Sequence, residues 1–359
     1  MDAPQSNAAP EPRKRRVRYA GKNPRRYDEK YKEHNPEKYA SDVAKVVASG
    51  KTPAGMHRPI MVAEIVEVLR PQPGECAVDC TLGYGGHTRA LLEALRPGGR
   101  LIGLDVDPVE LPKTVARLRE AGFTEQEFTA VQRNFAGLIQ VLAEQSLEGV
   151  DCILADLGIS SMQLDNPERG FTFKFDGPLD LRLNPTRGVS AADWLAAASI
   201  PMLASALNDF ADEPHSTAVA EALIDAQFDT PIRRTRQLAQ VIYRWFSKTY
   251  PGRPDDGESD KCIRRVFQAL RIAVNDEFGV LDAFLRNLPY CLKSGGRAAV
   301  LTFHSGEDRR VKHAFRDGFR SGTYSSIADD VILAGPDERR SNTRSLPAKL
   351  RWAVRSSEP

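Results

Sequence analysis

The densest chemistry in the chain lies in Ala77-Val-Asp-Cys-Thr-Leu-Gly-Tyr-Gly-Gly-His-Thr88 and, after one helical interval, in Arg100-Leu-Ile-Gly-Leu-Asp-Val-Asp107. Gly83, Gly85 and Gly86 lack the Cβ that keeps a ligand off a backbone. Asp79 stands ahead of this loop, and Asp105 follows Gly85 by twenty positions. In a doubly wound sheet that interval puts Asp105 at the carboxyl end of the neighbouring strand, where a ribose diol can bridge its two oxygens. The order is strand, glycine loop, helix, strand, acidic tip, which is the pattern of a nucleoside-cofactor site.

The spacing also bears on which nucleoside. A dinucleotide fingerprint wants G-x-G-x-x-G, with a pyrophosphate on a helix N-terminus. Here Thr88 and Arg89 stand where the third glycine is sought, and Asp79 repels a pyrophosphate while suiting an ammonium group. S-adenosylmethionine (SAM) carries an amino group, a sulfonium and a ribose but no phosphate, so it fits better than a dinucleotide. A ligand-free sheet domain is the plain alternative.

Other polar residues fall at strand tips. Phe135 lies just beyond a third strand, Phe128–Gln132, and suits either an adenine ring or the core. A fourth strand starting at Val150 ends in Asp156-Leu-Gly-Ile-Ser-Ser161, where Asp156, Ser160 and Ser161 are acceptors for a target amino group. Their plain alternative is a helix N-cap with an incidental acid. One long amphipathic helix is expected from Asp260 to Leu288, offering Arg271, Asn275 and Glu277. A turn at residues 293–296 leads to a fifth strand, Ala298–Phe303, which ends at His304. Ser305 with Asp308 reads as an S-x-x-D helix start, so His304 is expected to face the crevice.

The elements that must position these groups follow from periodicity. Helices are expected over Met61–Leu69, Thr88–Leu95, Val109–Ala121 and Phe135–Glu144. From Gln163 the strand-helix alternation stops. Helical segments at 191–198, 201–210, 217–227 and 235–246 read as an insertion, so residues 165–259 are expected to form a helical substrate-recognition domain. Residues 56–164 and 260–359 then make one discontinuous sheet domain. Arg233, Arg234 and Arg236 put positive charge on the insertion, for RNA phosphates or simply as a solvated face. Residues 1–55 form a basic extension, expected to be partly disordered, in which Arg13–Arg16, Arg18, Lys22, Arg25 and Arg26 interleave with Tyr19, Tyr27 and Tyr31. Such an arm suits phosphate neutralisation and base stacking, or is a solvated tail with one helix near 36–49. A short strand is expected in the basic tail before Arg355.

Composition bounds the rest. The 359 residues are 41% hydrophobic and 27% charged, ordinary for a globular protein, and the net charge of +2 argues nothing by itself. No run of about 18 apolar residues exists and no signal-peptide core precedes the fold, so neither a membrane span nor secretion is expected. The five cysteines lack the spacing of a zinc ribbon or finger, so no metal is expected, and a reducing cytoplasm fits them. The oligomeric state is open, a homodimer included.

These stretches together resemble the bacterial small-subunit ribosomal RNA cytosine-N4 methyltransferase family (MraW-type). The likeness is carried by His57 with Pro59, Asp79 to Thr88, Leu104 to Pro108, Ala155 to Ser161 with Gln163-Leu-Asp165, and Glu168-Arg-Gly-Phe171. It continues through Asp176 to Arg182, Pro185 to Gly188, Phe267 to Ile272 with Val274-Asn275 and Glu277, and Phe303-His-Ser305 with Glu307-Asp-Arg309. The chain departs from the pattern at Asn184, Ala273, Gly306 and Asp212-Glu-Pro-His215. The resemblance implies an α/β, Rossmann-like class I SAM-dependent methyltransferase sheet with an inserted helical domain. It implies methylation of a cytosine amino group in the decoding region, with small-subunit RNA as partner. By that likeness Gly85, Gly86, His87, Asp105, Phe135, Asp156 and Gln163 line the SAM site. Asp156, Ser160 or Ser161 would grip the amino group, and His304 or Asn275 would contact the base. The rival readings are an assembly factor that holds SAM and RNA without turnover, a methyltransferase acting on another RNA and, more remotely, an NAD-linked oxidoreductase.

Overall fold

The computed structural model describes residues 59–252 and 257–357, so the basic extension, its expected helix and His57 lie outside the described residues. Strands β1 (Cys76–Asp79), β2 (Arg100–Asp105), β3 (Phe128–Gln132), β4 (Val150–Asp156) and β5 (Leu292–Thr302) run parallel in the order β3-β2-β1-β4-β5. Beyond β5, the strands β6 (Tyr324–Ile327), β7 (Ile332–Leu333) and β8 (Lys349–Arg355) complete the sheet, with β8 antiparallel to β5 and flanked by β6 and β7. The inner strands are almost continuously apolar because helices cover both faces.

Alternate residues point to opposite faces. Ala77, Leu101, Cys152, Leu154 and Leu301 pack with helices α1 (Val62–Leu69), α2 (Gly86–Leu95) and α3 (Leu111–Glu120). Val78, Ile102, Leu104, Ile153 and Val300 face the other way, against α4 (Leu138–Glu144) and two helices from later in the chain. Between β4 and β5 in the chain comes a separate helical cluster. After the short α5 (Ser161–Asp165) come α6 (Ala191–Ala197), α7 (Ile200–Ala211), α8 (Ser216–Asp229) and α9 (Thr235–Thr249), packed on α10 (Glu258–Asn275). Its apolar core runs from Phe171 to Leu270. Among the described residues no helix is long and apolar enough to cross a membrane.

One expectation needs correcting. The helix read as continuous from Asp260 to Leu288 is two, α10 and α11 (Glu277–Cys291), broken where Asp276 turns left-handed at φ 48° and ψ 42°. The apolar stripe runs on unbroken, so periodicity alone does not reveal the break. Yet Ile263 and Leu270 belong to the helical core, whereas Leu281 and Leu288 belong to the sheet. Residues 293–296 form an irregularity within β5 rather than a turn before it, since Val150 pairs with Leu292 and Cys152 with Arg297. Helix α12 (Ser305–Arg320) then follows β5, capped by His304 and not by Ser305. The tail adds β6, β7 and α13 (Pro336–Ser341), too short to show a period.

The left-handed region costs an ordinary L-residue about 1–2 kcal/mol, while aspartate, asparagine and glycine tolerate it. Asp276→Val should therefore lower unfolding free energy by at least about 1–2 kcal/mol, and Asp276→Gly by markedly less. Urea denaturation of both variants checks this, and equal losses would show that backbone conformation is not what position 276 selects.

Candidate active site

Three parallel strands finish on aspartate at the carboxyl edge of the sheet: Asp79 on β1, Asp105 on β2 and Asp156 on β4. Strand order reverses here between β1 and β4, where open α/β sheets form their ligand crevice. Asp107, two residues past the tip of β2, adds a fourth carboxylate. Each is handled differently by its surroundings.

Asp79 was expected to meet an ammonium group, but it lies beneath the loop, 1% exposed. Its Oδ2 accepts from Thr88 Oγ1 at 2.6 Å and its Oδ1 from Thr81 N at 3.1 Å. Two threonines thus hold the charge, and Asp79 ties the end of β1 to the first turn of α2. Asp107 is buried too. Its Oδ2 receives Arg169 Nη1 at 2.6 Å and Gln163 Nε2 at 2.9 Å, while its Oδ1 caps Val109 N at 2.9 Å. Burial alone would raise Asp107, but Arg169 and Gln163 outweigh it and hold the carboxyl below the usual range.

The other two lack such support. Among the described residues Asp105 accepts only from backbone N–H groups, Gly83 N at 2.8 Å and Asp107 N at 2.9 Å. Burial pushes it up to about 6 against the lowering effect of those bonds, and Asp107 and Asp79 add repulsion. Asp156 is also pushed up to about 6 by burial, opposed by His87 and reinforced by Asp79 and Glu307. Its Oδ2 lies 3.4 Å from His87 Nδ1, and its buried Oδ1 has no hydrogen-bond partner among the described residues. His87 Nε2 sits 2.9 Å from the carbonyl of Ile60, which can only accept, so that nitrogen carries hydrogen. Nδ1 is left facing Asp156.

The glycine loop is shaped by protein contacts as much as by ligand access. Gly85 caps α2 at φ 82°, a conformation that costs glycine nothing. A Cβ on Gly86 would meet Pro59 Cγ at 2.6 Å, so the space expected for a ligand at that position belongs to a proline ring. Gly83 is fixed from both sides, its N–H on Asp105 and its carbonyl on Thr114 Oγ1 at 2.5 Å.

Several expected site residues are brought near this edge without facing it. Ser160 and Gln163 form the capping box of α5, Ser160 Oγ accepting from Gln163 N at 3.2 Å and Gln163 Oε1 from Ser160 N at 2.9 Å. Gln163 reaches the site only through Asp107. Ser161 opens the same helix. Asn275, expected against the base, is a brace. Its Oδ1 accepts from Leu183 N at 2.8 Å, and its Nδ2 donates to the carbonyls of Leu181 and Arg271 at 2.8 Å each. Phe135 meets Phe284 edge-on at 5.3 Å and keeps part of its ring exposed.

His304 stands at the tip of β5 but works as the cap of α12. Its Nδ1 accepts from Glu307 N at 3.4 Å, and its Nε2 lies 3.1 Å from Glu307 Oε1. Glu307 in turn accepts from Phe303 N at 2.8 Å. Burial would raise Glu307, but His304, Arg271 and that backbone bond leave it lowered. Glu277, His304 and Glu307 bring ligand atoms within 4.8 Å of one another, a spacing open to a metal ion. Arg271 already supplies the positive charge, gripping Glu277 with two bonds of 2.8 Å.

Sequence reasoning missed Arg169 and Asp107 as a functional pair. The signal was the Asp-x-Asp at the end of β2, but an arginine 62 positions away does not advertise itself as its partner. Gly306, one of the departures from the family pattern, is explained by packing, since a Cβ there would meet Phe278 Cζ at 2.5 Å.

Residues 54–356 match the family model described as the MraW methylase family. A protein of Agathobacter rectalis named ribosomal RNA small subunit methyltransferase H 1 is 49% identical over 347 residues, covering 96% of this chain and 98% of that protein. A Geobacter sulfurreducens protein named ribosomal RNA small subunit methyltransferase H is 40% identical, covering 83% and 98%. Among solved structures, a SAM-dependent O-methyltransferase from Thermotoga maritima aligns over 84% of this chain and 67% of its own, at 10% identity and a TM-score of 0.37.

The raised carboxyl at position 156 has a consequence for stability. A folded-state value near 6 against an unfolded value near 4 means the contribution is present below about pH 4 and lost as pH rises through 6. Asp156→Asn removes that titration. The variant should match the parent near pH 4 and exceed it by about 2–3 kcal/mol at pH 8. Chemical denaturation across that range checks the sign; a variant less stable at pH 8 would show that His87 compensates the buried charge fully.

Proposed function

The chain belongs to the MraW methylase family and is a SAM-dependent ribosomal RNA methyltransferase; from that premise we propose that it methylates the exocyclic N4 of a cytosine in the decoding region of small-subunit RNA. The observation that carries the reading is the pair Asp105 and Asp156, two partly buried carboxyls at one crevice, both raised and neither gripped by an arginine or lysine among the described residues. Such an edge favours a cationic ligand and disfavours a pyrophosphate, which speaks against an NAD-linked oxidoreductase. The donor set also fits SAM, with Asp105 for a ribose and a half-exposed Phe135 ring for an adenine.

When bound, SAM supplies an electrophilic methyl group on a sulfonium. The residues of the chain then have two tasks. The N4 lone pair of cytosine is delocalised into its ring, so catalysis rests on orientation and electrostatics more than on a strong base. Asp156 Oδ1, buried without a partner, accepts a hydrogen from the target amino group and fixes its plane. Once the nitrogen is alkylated it becomes acidic, and the Asp156–His87 pair takes the released proton. His304, Asn275, Ser160 and Ser161 support the loops around the base. The base must leave its stack to reach this edge, and we assign the holding of its neighbours to the helical insertion, residues 165–259.

Incubation with methyl-labelled SAM and small ribosomal subunits should yield N4-methylcytidine by nucleoside mass spectrometry. Asp156→Asn should lower turnover by about 100-fold or more while SAM affinity shifts by only several-fold. Asp105→Ala should weaken SAM about tenfold or more by calorimetry. SAM and RNA binding without methyl transfer would favour the assembly-factor reading, and a different modified nucleoside would reject the cytosine assignment.

A further inference from the structure

We propose that His215, Trp245, Phe246 and Tyr250 form a stacking platform for an unpaired RNA nucleotide flanking the target base; this rests on the methyltransferase reading and extends it to the grip on the substrate strand. The four rings form one cluster. Trp245 meets Phe246 at 4.9 Å, His215 meets Trp245 at 5.5 Å, and Tyr250 meets Phe246 at 5.7 Å. All four are half-buried, unlike the residues beneath them in the same helical core, where Leu203 and Leu207 are 0% exposed and Ile242 is 1%. A partly open aromatic cluster offers π-faces that any base can use.

The surroundings select the partner. Arg244 and Lys248 lie four apart on α9, so they share one flank of the helix, and Trp245 neighbours Lys248 at i+3. Both cations are exposed and enter no ion pair among the described residues. A stacking surface edged by unpaired cations matches a single-stranded polyanion, not an acidic or apolar protein surface alone.

Chain neighbours of the platform reach the tip of β5. His215 follows Asp212 by three residues, and Asp212 Oδ2 accepts from Ser305 Oγ at 2.8 Å while its Oδ1 lies 3.0 Å from Arg309 Nη2. Ser305 is the residue after His304, at the tip of β5. A second link runs through rings: His304 to Phe278 at 5.8 Å, and Phe278 to Phe210 at 5.5 Å, two residues before Asp212. A nucleotide stacked on Trp245 would therefore belong to the same strand as a base held at Asp156.

The test is the affinity of the full chain for a short single-stranded RNA around the modified cytosine, by fluorescence anisotropy. Trp245→Ala should raise the Kd roughly tenfold, Trp245→Phe should restore most of it, and SAM affinity should not move. Should Trp245→Ala fold poorly, the surface pair Arg244→Glu with Lys248→Glu should weaken RNA binding and flatten its salt dependence by more than one phosphate contact. Unchanged RNA affinity in both variants overturns the platform, as does a change in oligomeric state in its place. If the parent protein transfers no methyl group to RNA, the methyltransferase reading fails; transfer by the parent with unaltered variants fails the platform alone.

Discussion

Burial of carboxylates along one sheet edge, with repulsion among them added, is the constraint the rest of this molecule answers. Parallel strands all present their carboxyl ends to the same side, so an aspartate at each tip crowds with its neighbours in a poorly hydrated crevice. Asp79 accepts from two threonines and Asp107 is held down by Arg169 with Gln163, whereas Asp105 and Asp156 stay raised near 6. That these two have no cation among the described residues is the kind of local conflict expected where a ligand completes the electrostatics.

The constraint reaches well beyond the edge. Arg169 neutralises Asp107 with one nitrogen and donates to the carbonyls of Arg182 and Leu183 with another, at 3.0 and 2.7 Å. Asn275 holds the same loop from the far side through Leu181 and Leu183, at the last turn of α10. The break at Asp276 then lets α11 leave the helical core and cover the sheet. The loop from Arg169 to Leu183 is therefore pinned between the cofactor edge and the helical cluster, so displacement of either strains the same bonds.

This division explains what could be read from the chain alone. The five parallel strands, the glycine loop and most helices carry their own period and breakers, and they lie close to where pattern places them. The Asp276 break does not, because one stripe serves two cores in succession. Asp105 and Asp156 were legible as acids at strand tips, since topology fixes where a tip points. The contacts that bury Asp79 were not legible, because they depend on Thr81 and Thr88 folding over it, nor was the bracing by Asn275, because a helix position says nothing about which loop its amide will meet. Gln163 was legible as a neighbour of the site, but its action through Asp107 was not.

The raised carboxyl at Asp156 gains its meaning from the charge that leaves during the proposed transfer. A cation beside Asp156 stabilises its carboxylate, so the group enters the reaction ionised and ready to accept a hydrogen bond from the amino group. SAM held by Asp105 and Phe135 would supply that positive charge beside Asp156 only until its methyl group is transferred. Asp156 then recovers proton affinity toward the value its burial dictates, at the stage when the alkylated nitrogen has a proton to lose. His87, 3.4 Å away, gives that proton a second resting place. A well-solvated aspartate would keep its low affinity throughout and gain nothing from the change. Desolvation, which weakens the fold at neutral pH, is thus what would make the same carboxyl respond to the chemistry beside it.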